Sequence, residues 1–215
     1  MKIDFVSDVS CPWCVIGLLS LEQALAEVAA ESIRPTVHFQ PFELNPQMVP
    51  EGQEIVEHLM QKYGLDAAQV AANTEAIRQR GAELGFAFSA GTARRIYNTF
   101  DTHRLLHWAG LQSAEVQRAL KYRLFEAYFT HGLNPGDTAL LQRLATEVGL
   151  DAAEAAAVLA SDRYATEVRQ AESRVHRSGI HSVPAVIIDD QYLVSGGQPA
   201  EAFAQALRQV AARQG

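Results

Sequence analysis

The chain reads as an α/β protein in which a long helical insertion interrupts a small sheet. Three observations predict this. Residues 1 to 45 show strand, helix and strand patterns in turn, the following stretch is alanine-rich with helical spacing of its apolar residues, and residues 179 to 215 return to two strands and a helix.

Ile3 to Val9 is rich in β-branched and aromatic residues and stops at Ser10, the pattern of a short buried strand. From Pro12 to about Glu31 the residues Val15, Leu18, Leu19, Leu25 and Val28 recur at helical spacing. Pro12 suits a first helical turn, where its missing N–H forfeits no intrahelical bond, so Cys11 falls at a helix N-terminus. Thr36 to Phe42 alternates, with Val37 and Phe39 on one face, until Asn45-Pro46 breaks it. Between about Pro50 and Ser178 the capping candidates are Asp66, Ser113, Asp137 and the Asp151 to Glu154 box. The best single helix there runs from Ala114 to about His131, with Leu120, Leu124 and Tyr128 on one face. Alanine recurs without a fixed period, which argues against a solenoid. Pro184 to Ile188, a turn at Asp189-Asp190 and Tyr192 to Val194 form a hairpin that ends at Gly196-Gly197. A last helix, opened by Pro199, buries Phe203, Leu207 and Val210. One domain is therefore discontinuous, 1–45 and 179–215, and the helical insertion subdomain is 46–178.

With 215 residues, 48% of them hydrophobic and 20% charged, the chain can bury a sizeable core. Its net charge of -7, with no basic tail, has the wrong mean sign for nucleic acid or an anionic membrane. Asp4 and Asp8 interrupt the stretch where a signal peptide needs apolar residues, and no run reads as a membrane span, so a cytoplasmic location is expected. Thiols are kept reduced there. The two cysteines, three positions apart, build no disulfide framework; the core must hold the fold and the pair is free for chemistry.

Cys11-Pro12-Trp13-Cys14 spans one helical turn, which brings the two side chains within reach of a disulfide. Open amides and the positive end of the helix dipole favour a thiolate at Cys11, making it the nucleophile. Cys14, deeper along the helix, resolves the mixed disulfide. Pro12 and Trp13 tune the pair, and no histidine stands between the cysteines to add a positive partner. A structural pair or half of a zinc site is the alternative, but a second cysteine pair is absent and no metal is expected.

Four segments, Asp4-Phe-Val-Ser-Asp-Val-Ser-Cys-Pro-Trp-Cys, Pro41-Phe-Glu-Leu-Asn-Pro, Asn98-Thr through His103-Arg and Ser182-Val-Pro-Ala, resemble the DsbA-like thioredoxin superfamily. The likeness is to its cytosolic FrnE-like branch and covers essentially the whole chain. It implies a thioredoxin-like α/β fold with a large all-helical insertion. It also implies a thiol-disulfide oxidoreductase acting on protein or peptide disulfides; a reducing cytosol then makes reductase or isomerase the expected direction, with glutathione or a thioredoxin-type electron donor as candidate redox partners. No cofactor is implied beyond the redox-active Cys11-Cys14 disulfide itself, and a monomer or a homodimer fits equally. By the same resemblance Val183-Pro184 is a cis-proline loop against the cysteines, offering its backbone to an extended substrate; without it, a trans proline opening a strand is the expectation.

The resemblance further makes Asp4 a candidate for a buried acid that relays the proton of Cys14, with Asp8 or Glu43 as substitutes, against the plain reading of an exposed strand-end acid. Asn98 and His103 are candidates for polar contacts to substrate, against the plain reading of a core histidine. His103 and His107 share a helix face that a metal could use, but the sequence shows no third ligand. Kappa-class glutathione transferases and hydroxychromene-carboxylate isomerases resemble the same fold, so a glutathione-dependent isomerase or transferase acting on a small molecule is the alternative function. Their reactive position usually carries serine, whereas this chain has both cysteines.

Overall fold

The computed structural model describes residues 1–89 and 95–213. The first strand, β1 (Lys2–Ser7), buries Ile3, Phe5 and Val6 completely and lies inside the sheet. Helix α1 (Pro12–Val28) follows, opened by Pro12 as expected and extended by a 3-10 turn over Ala29–Glu31 that stops where Ser32 turns left-handed. By length and mean hydropathy Pro12–Glu31 is apolar enough to cross a bilayer, contrary to the expectation that no such run exists. In this fold half of that stretch is buried: Val15, Leu18, Leu21 and Val28 belong to the protein core. Strand β2 (Thr36–Pro41) then runs parallel to β1, with Lys2 opposite Thr36 and Ser7 opposite Pro41.

The insertion is not wholly helical. Strands β3 (Gln53–Glu54) and β4 (Arg95–Ile96) pair antiparallel in a ribbon too short to leave any periodicity in the sequence. The helices are α2 (Ile55–Tyr63), α3 (Ala67–Glu83), α4 (Phe100–Gln112), α5 (Ala114–Phe125), α6 (Thr138–Glu147), α7 (Ala152–Leu159) and α8 (Ala165–Arg177). The expected caps form: Asp66, Ser113, Asp137 and Asp151 each accept a hydrogen bond from the backbone N–H three residues on. The helix expected to reach His131 changes its winding after Phe125, where Glu126–Thr130 is π-helical and the His131 N–H reaches Glu126 O at 3.1 Å. The wider turn carries Tyr128 and Phe129, both buried, their rings 4.8 Å apart.

Helices α4, α5 and α8 pack directly on β2. Gln117 of α5 seals that outer strand as a neighbouring strand would: its Oε1 accepts from Phe39 N at 3.1 Å and its Nε2 donates to Phe39 O at 3.2 Å. After the insertion, β5 (Ala185–Ile188) pairs antiparallel with β1, and β6 (Tyr192–Ser195) with β5, giving the order β2-β1-β5-β6. The turn between them holds Asp189 and Asp190 at positive φ, the conformation that tight hairpins of this hand require. Helix α9 (Ala200–Ala212) buries Phe203, Leu207 and Val210 and lies against α1. The result is the α/β fold with a helical insertion that the sequence predicts.

Candidate active site

The turn after β1 delivers Cys11 to the start of α1 in extended conformation, with φ -94° and ψ 112°. Its N–H donates to Asp8 O at 3.2 Å, and the Cys14 N–H donates to Cys11 O at 3.1 Å. No side chain caps this helix, so its positive end is left to the sulfur. The Cys11 thiol donates to Val183 O across 3.6 Å, and the Val183–Pro184 peptide is cis. This approach of the loop to the helix needs glycine at two positions. A Cβ at Gly17 would lie 2.9 Å from Pro184 Cγ, and one at Gly197 would lie 3.1 Å from Trp13 O. Trp13 is 45% exposed and Tyr63 of α2 is 55% exposed. Partial burial and the negative charge of Cys11 both push the Tyr63 phenol up.

Cys14 faces inward and is fully buried. Burial, reinforced by its hydrogen bond to Cys11, holds its thiol well above the ordinary range. Lys121 of α5 is 1% exposed, with Nζ 5.0 Å from the Phe125 ring centre and 6.0 Å from that of Phe39. Burial lowers its ammonium to about 8, against the upward pull of Cys14, Asp8 and Cys11. Lys121 and His103 line one cavity of about 10 Å³, walled by Phe39, Leu106 and His107. His103 Nε2 lies 3.6 Å from Asp8 Oδ1, an ion-pair separation too long for a hydrogen bond. Asp8 is buried, which pushes its carboxyl up, but His103 and the amides of Leu44 (2.7 Å) and Ser10 (3.2 Å) outweigh burial and hold it below its ordinary value.

The other expected site residues fall elsewhere. Asp4 does not face the cysteines: Oδ1 accepts from Gln40 Nε2 at 2.7 Å and Oδ2 pairs with Lys2 Nζ at 2.7 Å. The buried acid at the site is Asp8, because it sits in the turn leading into α1 rather than within β1. Asn98 spends its amide inside the protein, donating to Glu43 Oε1 and Pro46 O and accepting from the Phe100 N–H at the start of α4. His103 is 2% exposed and cannot meet a substrate directly; it belongs to the layer beneath the cysteines. Glu43 is tied to Arg169, which also holds Glu172 at 3.0 Å. Among the described residues, no group of three or more His, Cys, Asp or Glu side chains is arranged to hold a metal ion. Sequence reasoning missed Lys121, Tyr63 and Gly17. Only Lys121 left a signal: it interrupts the buried stripe of Gln117, Leu124, Phe125 and Tyr128 at helical spacing.

The model of the DSBA-like thioredoxin domain matches residues 2–208. The crystal structure of a probable DsbA oxidoreductase from Streptomyces coelicolor superposes with a TM-score of 0.90 at 36% identity, over 97% of this chain and 89% of that one. The cytosolic disulfide reductase DsbM from Pseudomonas aeruginosa, with GSH, superposes with a TM-score of 0.65 over 98% of this chain and 99% of that one; at 17% identity it shares the fold. The uncharacterized protein YwbO of Bacillus subtilis (strain 168) is 28% identical over 211 residues, 96% of either chain.

Proposed function

The chain belongs to the DSBA-like thioredoxin family, and from that membership we propose that it reduces or isomerises protein or peptide disulfides through Cys11 and Cys14. One observation carries this reading. A sulfur at an uncapped helix start, on a residue 4% exposed, meets the carbonyl of Val183 in the cis-proline loop, while the second sulfur waits one turn inward, fully buried.

The Cys11 thiolate attacks one sulfur of a substrate disulfide. That S–S bond breaks, a mixed disulfide with Cys11 forms, and the other substrate sulfur leaves as a thiolate. Cys14 then gives up its proton and attacks Cys11 Sγ. The mixed disulfide breaks, the Cys11-Cys14 disulfide forms, and the substrate departs with both sulfurs reduced. The substrate has gained two electrons and the pair has lost two. Glutathione or a thioredoxin-type dithiol returns them. An extended substrate segment lies along the Val183 backbone, flanked by the exposed faces of Trp13 and Tyr63. In a cytosol kept reducing by its thiol pool, the dithiol is the working form, which sets the direction as reduction or isomerisation.

The test is turnover of a model protein disulfide with glutathione as donor, comparing wild type with Cys11→Ser and Cys14→Ser. Cys11→Ser is expected to be inactive, and Cys14→Ser to accumulate a mixed disulfide at Cys11 visible by mass spectrometry. Free Cys14→Ser enzyme with unchanged turnover on a small-molecule substrate would overturn the reading in favour of a glutathione-dependent isomerase or transferase.

A further inference from the structure

The chain reaches Val183, whose carbonyl meets Cys11, through a short basic segment. Helix α8 ends on Arg174, His176 and Arg177, and Gly179 then turns the backbone at φ 77°. The Ile180 N–H donates to Val175 O at 3.3 Å and closes the turn. His181 thereby comes back onto His176, with ring centres 5.8 Å apart and planes 24° from parallel. His176 also meets the Phe42 ring at 5.1 Å. Phe42, Val175 and Ile180 belong to one buried cluster with Val6 and Ala185, and Val183 packs against it. The two histidines and the carbonyl beside the nucleophile are therefore held by the same packing. His181 precedes Val183 by two residues, a reach of at most about 7 Å along an extended chain.

Both histidines and Arg177 are exposed, and among the described residues none of the three pairs with a carboxylate. Glu172, one turn before His176, is held by Arg169. Arg174 points about 160° round the helix from His176 and takes no part. Arg177 also lines an open groove of about 540 Å³ along α8 with Gln170 and Ser173; the other cation there, Arg169, is taken by Glu43 and Glu172. On other surfaces, arginines such as Arg78, Arg123 and Arg208 are matched by acids. Basic groups in a last helical turn complement the helix dipole, but that does not account for His181, which lies beyond the helix. An unmatched cation with two imidazoles beside it runs against the net charge of -7.

We propose that His176, Arg177 and His181 form an acid-selecting subsite for the substrate polypeptide, receiving an Asp or Glu side chain about two residues from the cysteine that Cys11 attacks. This rests on the reading of Val183 as the backbone along which an extended substrate lies. A residue two positions along such a strand comes level with His181. Its carboxylate accepts hydrogen bonds from the imidazole N–H groups and from the guanidinium, which carries the permanent charge. The attacked cysteine stays beside Val183, where Cys11 already donates to the carbonyl.

The probe is a set of three peptides of one sequence, each with a single cysteine in disulfide linkage to nitrothiobenzoate. Glu, Gln or Lys stands two positions to either side of that cysteine. Cys11 attacks the peptide sulfur, the S–S bond breaks, the peptide becomes bonded to Cys11, and nitrothiobenzoate leaves as the coloured thiolate. A surface of net charge -7 without the subsite favours the Lys peptide, so the sign of the preference is itself the test. The Glu peptide is expected to release about fivefold faster than the Lys peptide at low salt, with Gln between them. The rates should converge at about 1 M salt, where charges are screened within about 3 Å. In the double variant Arg177→Gln, His181→Gln the preference is expected to vanish or turn towards Lys. Each protein's own peptides supply the reference, so a general loss of activity leaves the ratio readable. Equal rates or a Lys preference in wild type, a preference unmoved by salt, or the wild-type ratio kept in the double variant would each overturn the proposal. The underlying reading fails separately: no release from any of the three peptides, or release that survives Cys11→Ser, refutes it and takes the subsite with it.

Discussion

The two sulfurs lie one helical turn apart, yet different parts of the chain furnish their surroundings. Around Cys11 the hydrogen bonds and close loop packing come from segments of the sheet domain: the turn after β1, the first turn of α1, and the Val183-Pro184 loop with Gly197. The layer beneath Cys14 belongs largely to the insertion, with Lys121 from α5 and His103 from α4 meeting Asp8 at the sheet edge. The outer half is an uncapped helix start under close loop packing. The inner half is a sealed set of ionisable groups, with Cys14, Asp8, His103 and Lys121 all buried.

Four measurements break or sharpen this contrast. Gly17→Ala strikes the outer half, because the added methyl meets the Pro184 ring at 2.9 Å. It is expected to lower stability by about 1–3 kcal/mol in urea melts and to slow turnover of protein disulfides. A variant as stable as wild type would show that the loop yields freely. Asp8→Asn cuts the joint between the halves and is expected to cost about 1–3 kcal/mol at neutral pH, since it leaves His103 and buried amides facing a neutral group. Asp8 is held below its ordinary 3.8, so its contribution is complete above that value and disappears as pH falls through the lower, folded value. Wild-type stability should decline across that acid window more steeply than that of Asp8→Asn; parallel declines would remove Asp8 from the account.

Lys121→Met acts on the inner half with the opposite sign. Replacing a buried ammonium by an apolar side chain of similar length is expected to raise stability by about 1 kcal/mol below pH 8. The folded-state value is depressed to about 8 from 10.5, so the gain is full below 8 and shrinks as pH rises above it. Thermal melts on either side of pH 8 check this, and a destabilised variant would mean that Lys121 is held by packing rather than merely tolerated. The smallest expected effect belongs to Ser113→Ala, which removes the cap on Val116 N at the start of α5 for about 1 kcal/mol. Turnover of a model protein disulfide should stay at the wild-type rate, because the cap holds the helix but does not touch the cysteines. Slowed turnover would show instead that small shifts of α5 reach the buried layer beneath the cysteines.

Much of the fold was legible in local sequence grammar, because strands, caps and turns are set by neighbours along the chain. Pro12, the caps at Asp66, Ser113, Asp137 and Asp151, and the turn at Asp189-Asp190 announce themselves through spacing and side-chain chemistry that act over a few residues. The π-helical turn and the β3–β4 ribbon did not, since side-chain packing and pairing between distant segments create them.

The sequence by itself determined that two cysteines stand one turn apart at the start of a helix behind a strand, for strand pattern, proline and spacing are all local. Tertiary structure alone decided which ionisable groups surround the inner sulfur. Lys121 lies 107 positions beyond Cys14 in the sequence, and only the packing of α5 on the sheet edge carries it there. Asp4 and Asp8 are both acids in the first segment, and nothing in their spacing tells which one reaches the site. That depends on where β1 ends and which carboxylate the neighbouring strand and Lys2 have already taken.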